Sequence, residues 1–166
     1  MVNITTRSTS FASLTGLTLA RECSPVIATL CVKKQGSKTK MKEVLVVKDE
    51  ENERPIPTVW RPLFNQIVNA FVKKDYLLTY KVNNVLPVSK ETAKQIAEYI
   101  EDYGEELIQL PEETWESSVC IWMDPHWDVL IDLWTAGEGR SDLVLGAEVS
   151  ESDTGYKVNI NLVYVP

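Results

Sequence analysis

From Trp127 onward, apolar and polar residues alternate with a period of two. Trp127, Val129, Ile131 and Leu133 fall on one side, and Asp128, Leu130, Asp132 and Trp134 on the other. Leu143, Leu145, Ala147 and Val149 repeat the pattern, as do Tyr156, Val158, Ile160, Leu162 and Tyr164. Such alternation puts successive side chains on opposite faces of a strand. Three strands, each with one apolar face, predict an antiparallel meander. The turn SDTG would join Glu151 to Tyr156, a register that sets Val149 opposite Val158 and keeps the apolar faces together.

Upstream the period changes. In PIPTVWRPLFNQIVNAFVKKDY, Trp60, Phe64, Ile67 and Phe71 share one helical face. Pro62 sits near the start, where a missing N–H costs little. Lys73 and Lys74 are expected in the last turn, where they suit the helix dipole. SKETAKQIAEYIEDYG predicts a second helix, with Ser89 as N-cap, Ala93, Ile96 and Ile100 as its apolar stripe and Gly104 as its stop. KEVLVVK (residues 42–48) reads as a short edge strand and DEENERP as a solvated acidic linker. LPEETWESSVCIWM carries both periods and reads as one or two helical turns followed by a strand. The predicted fold class is α+β, with two helices packed on one face of a curved antiparallel sheet.

Charge divides the chain in two. Residues 1–40 hold six basic side chains against Glu22 alone, a net charge of +5, whereas residues 41–166 hold eleven basic and twenty-three acidic ones, a net charge of −12. This asymmetry predicts a basic, Ser/Thr-rich extension over 1–40 and a single acidic α+β domain over 41–166. The extension has the composition of a transit peptide but no apolar core of a secretory signal. It also reads as an upstream addition preceding a start at Met41, or as a segment packing on the body through Phe11, Leu14, Leu17 and Leu19. Of these, a loosely held extension is preferred to a targeting signal. The acidic body would repel phosphate, so nucleic acid is not an expected partner. No apolar run reaches the ~20 residues that span a bilayer, so no membrane association is expected. Three cysteines, an odd count without metal-like spacing, fit a reducing cytoplasm. With one histidine and no cysteine pair, neither a zinc site nor any cofactor is expected.

The sheet face opposite the predicted core mixes chemistries. Asp128, Asp132 and Trp134 on one strand stand beside Asp142 and Glu148 on the next, with Asn159 and Asn161 beyond. Tryptophan beside carboxylates suits a pocket or a covered interface. Structural cover by a loop, by the N-terminal segment or by a second copy in a homodimer is the plainer reading for Trp134. In TAGEGRSD, Gly137 and Gly139 permit positive φ, and Glu138, Arg140 and Asp142 read as an ion-pair network that fixes the loop, or as a fork offered to an anion. His126 falls in the turn Asp124-Pro125-His126 and reads first as a turn residue, although an Asp–His pair is conceivable there. The run Glu101, Asp102, Glu105 and Glu106 is a solvated face or an acidic surface for a basic partner. No nucleophile elbow, P-loop or dinucleotide fingerprint occurs, so no catalytic residue is assigned.

WDVLIDLWT followed by EGRSDL, within YGEELIQLPEETWESSVCIWMDPHWDVLIDLWTAGEGRSDLVLGAEVS, resembles an uncharacterised bacterial family of domains of unknown function. The likeness covers roughly residues 41–166. Having no assigned activity, that family lends no functional residues. The order of helix, helix and antiparallel sheet is more loosely similar to the NTF2-like cone, a fold that hosts enzymes, ligand binders and immunity proteins alike.

Two functions are therefore expected to compete. The first is a non-enzymatic interaction domain, of the kind that inhibits a basic toxin, with Glu101, Asp102, Glu105 and Glu106 as its acidic surface. The second is a small-molecule binder or hydrolase-like domain with a pocket on the mixed face, where Asp128 or Asp132 serves as acid or base and Trp134 stacks on the ligand, beside Glu138, Arg140 and Asp142.

Overall fold

The computed structural model describes residues 43–166, and the expectations for the basic extension concern residues outside that range. The chain runs β1 (Arg54–Pro55), α1 (Arg61–Val72), α2 (Lys90–Tyr103), α3 (Thr114–Ser117), β2 (Val119–Trp122), β3 (His126–Thr135), β4 (Gly139–Ser152) and β5 (Gly155–Tyr164). The five strands form one antiparallel sheet in sequential order. This is the α+β architecture that the two periodicities imply, with α3 and β2 as the helical turn and strand expected in LPEETWESSVCIWM. No helix among the described residues is long and apolar enough to cross a membrane.

The core lies between the helices and one face of the sheet. Trp127, Val129, Ile131 and Leu133 are fully buried, as are Leu143, Leu145 and Val149. They meet Phe64, Ile67, Val68 and Phe71 of α1 and Ile96 and Ile100 of α2 in one cluster. Removal of this apolar area from water is the main force holding the layers together. Trp127 is the centre of an aromatic group, edge-on to Trp60 at 5.2 Å and next to Trp122 at 4.3 Å, with Tyr156 at 6.0 Å.

Local signals held where they rested on a cap or a short turn. The Ser89 hydroxyl accepts the Thr92 N–H at 3.0 Å, and Gly104 ends α2 at φ 83°. The β4–β5 hairpin pairs Val149 with Val158 and Glu151 with Tyr156, as the SDTG turn implies.

Three expectations need correction. Lys73 and Lys74 lie just beyond α1 rather than in its last turn: Lys73 is the C-cap, donating its N–H to Ala70, and Lys74 takes φ 62°. Residues 43–49 form no strand. They are held instead by scattered bonds, from Thr58 N to Val44 O at 3.0 Å and from Trp127 Nε1 to Val47 O at 2.9 Å. The DEENERP segment is built rather than merely solvated. Asp49 pairs with Arg54 and accepts the Glu51 and Asn52 amides, so the Arg54 guanidinium holds its carboxyl below the usual range, and β1 follows directly.

The alternation of β5 also breaks. Ala147 pairs with Ile160, but Gly146 pairs with Leu162, leaving Asn161 as an extra residue. This β-bulge moves Leu162 and Tyr164 to the half-buried outer face and turns Val163 into the core.

Candidate functional site

The outer face of the sheet, away from the helices, is not flat. A cavity of about 390 Å³ opens there, lined by Asp128, Leu130, Gly146, Glu148, Asn161 and Tyr164 among others. Two local features make it. Gly146 has no side chain to fill the middle of β4, and an added Cβ would meet the Leu162 carbonyl and the Tyr164 ring at 3.7 Å. The Asn161 bulge then swings Leu162 and Tyr164 to the cavity side. Cys120 borders the same hollow; its thiol is buried, which pushes its pKa up to about 11 and keeps it protonated and unreactive.

Of the predicted pocket residues, only Asp128 lines this cavity. Asp132, Arg140 and Asp142 border a separate hollow of about 530 Å³ with Ser117 and the C-terminal Val165 and Pro166. Arg140 comes within 3.9 Å of Asp132, a loose and exposed contact. Trp134 is half-buried and lies over Gly139, where an added Cβ would stand 3.6 Å from the indole. The indole therefore serves here as cover for the hairpin end.

His126 is the first residue of β3 rather than a turn residue. Its Nε2 lies 3.2 Å from Asp128 Oδ1, and Glu148 stands directly across the strand pair from Asp128. Glu148 accepts hydrogen bonds from Asn159 Nδ2 at 3.4 Å and Asn161 Nδ2 at 3.1 Å. The sequence offered an Asp–His pair at His126 only as a lesser alternative, which the structure forms with Asp128, and placed Glu148 on the mixed face without joining it to the pair. The signal was present in the His126–Asp128 spacing of two, which places both side chains on one face of a strand.

The acidic residues assemble at the other end of the sheet. After α2 the chain turns back along β3 where β2 has ended: Ile108 N–H bonds the Trp134 carbonyl and Ala136 N–H bonds the Glu106 carbonyl, each at 2.8 Å. This brings Glu105 and Glu106 beside the β3–β4 turn. The exposed Glu105 carboxylate lies against Gly137. Of the loop's two glycines, Gly139 alone takes positive φ, at 78°. Tyr103 locks the arrangement. Its hydroxyl donates to Glu138 and accepts the Asp142 N–H at 3.2 Å, and the Glu138 carboxylate raises its pKa above the usual phenol range. The loop is therefore fixed through Tyr103, not through the expected Glu138–Arg140–Asp142 ion pairs. Glu101, Asp102, Glu105, Glu106, Glu138 and Asp142 are all exposed. Among the described residues none of the six forms an ion pair.

No curated protein and no solved structure matches the chain. The model of one family, a domain of unknown function (DUF7668), matches residues 68–166, and the chain belongs to that family.

Proposed function

We propose that this chain acts by binding rather than by catalysis, as an interaction domain that docks a basic protein through the acidic end of its sheet. The observation that carries this reading is the set of exposed carboxylates at this end: Glu101, Glu105 and Glu106 border one hollow, and Tyr103 joins Glu138 to the Asp142 backbone. Such a surface raises association rates with a basic partner and repels acidic ones. An inhibitor of the immunity type, acting in the cytoplasm on a basic toxin, is the specific form proposed. The test is capture of a partner from the native host by the full chain at low salt, followed by binding kinetics with Glu101→Lys, Asp102→Lys and Glu105→Lys combined. Slower association at low salt, with the difference shrinking at high salt, supports the reading. Association as fast as wild type at low salt overturns it.

The outer-face cavity favours a second reading, a small-molecule binder related to NTF2-like domains. There Asp128 and Glu148 would supply the polar contacts and Leu130, Leu162 and Tyr164 the apolar ones. A ligand screen by thermal shift, with Asp128→Asn as control, tests it.

A further inference from the structure

On the outer face, His126 and Asp128 project from one strand and Glu148 faces Asp128 from the next. One imidazole nitrogen and one oxygen from each carboxylate all lie within 4.8 Å of one another. Two carboxylates directly opposite on neighbouring strands repel each other. Among the described residues, no lysine or arginine pairs with either. Glu148 is held instead by the neutral amides of Asn159 and Asn161, which orient its oxygens without cancelling their charge. Outer-shell donors of this kind commonly fix metal-binding carboxylates. Asp128 and Glu148 also line the cavity around Gly146, so one side of the cluster opens onto space for water or a further ligand.

We propose that His126, Asp128 and Glu148 bind a divalent transition-metal ion. One nitrogen and two oxygens hold it, and its remaining positions face the cavity. An imidazole ligand favours Fe²⁺, Ni²⁺ or Zn²⁺ over Mg²⁺ and Ca²⁺, and Mn²⁺, which also suits the carboxylates, serves as the paramagnetic probe. A single histidine and no close pair of cysteines argue against zinc when sequence spacing alone is considered. The sheet supplies what spacing cannot, because the third ligand comes from a strand twenty residues further along. Small rotations of these half-exposed side chains would close the cluster to the ~2.0–2.2 Å bonds of such ions. The ion would replace repulsion between Asp128 and Glu148 with shared attraction. This site is separate from the acidic end and does not depend on the partner-docking reading.

The experiment is a titration of the full chain with Mn²⁺, read by proton NMR. The chain has one histidine, so the imidazole signal of His126 reports this site alone. The expected result is selective broadening of that signal by Mn²⁺, unaffected by equal Mg²⁺. Glu148→Gln and Asp128→Asn should each weaken Mn²⁺ binding by at least about tenfold. Metal-free thermal unfolding of both variants no earlier than wild type shows that they fold. Broadening equal in wild type and Glu148→Gln would reveal only a diffuse ion atmosphere over an acidic protein and would overturn the proposal. Absence of broadening in wild type would overturn it as well.

Discussion

Replacing Trp127 by phenylalanine tests how the core is joined to the segment that precedes β1. Trp127 is 1 % exposed, its Nε1 donates to the Val47 carbonyl at 2.9 Å, and its ring meets Trp60, Trp122 and Tyr156. Phenylalanine keeps an aromatic ring but cannot donate. Loss of the hydrogen bond costs about 0.5–1.5 kcal/mol. Loss of favourable ring geometry costs a further ~0.5–1.5 kcal/mol. The smaller ring also leaves a void, and full truncation of a buried tryptophan costs about 3–5 kcal/mol, so the whole change should lie near 3 kcal/mol. For a domain of this size that lowers the Tm by about 10 °C. Circular dichroism melts give the first measurement. Hydrogen exchange gives the second: the Val44 and Trp122 amides, which bond Thr58 Oγ1 and the Asp49 carbonyl, should lose protection because Val47 is no longer tethered between them. A loss below about 1 kcal/mol, or unchanged exchange at both amides, would refute this account of the segment.

Two further outcomes follow from single groups. Ser89→Ala should cost about 1 kcal/mol in urea unfolding, because the Thr92 amide loses its only cap acceptor at the start of α2; a neutral effect would show that the cap is dispensable. Cys120 should resist alkylation in the folded protein at pH 8 and react on unfolding, as peptide mapping by mass spectrometry will show. Its folded pKa, about 11, exceeds the 9.0 of a freely solvated thiol, so only the unfolded thiol ionises between those values and stability should fall as pH rises through that window. Cys120→Ser should remove that part of the alkaline loss.

What could be read directly from the residues was whatever depends on near neighbours. The Trp127–Leu133 alternation, the Ser89 cap, the Gly104 stop and the SDTG register all express local rules, and each stands in the structure. The outer face was legible as a list of residues but not as a shape. The Asn161 bulge cannot be seen in an alternation that continues through Leu162 and Tyr164, yet it decides which of those side chains border the cavity. A second irregularity, between Asp132 and Trp134, sets Arg140 rather than Asp142 opposite Trp134. The union of Glu105 and Glu106 with Glu138 depends on pairing across some thirty residues, for which the sequence carries no periodic signal.

The segment Asn84–Leu86 brackets Val158 of β5, giving a carbonyl to its N–H and taking its carbonyl, both at 2.8 Å. At the opposite margin β1 is two residues long and includes a proline, and Glu106–Ile108 occupies the free end of β3. Open sheet margins recruit strands from other molecules. In this domain, loops already occupy backbone positions that a second copy would use to extend the sheet. Self-association by strand addition therefore requires a loop to be displaced first. Mild heating or nicking of residues 75–88 should consequently provoke aggregation before the core has melted.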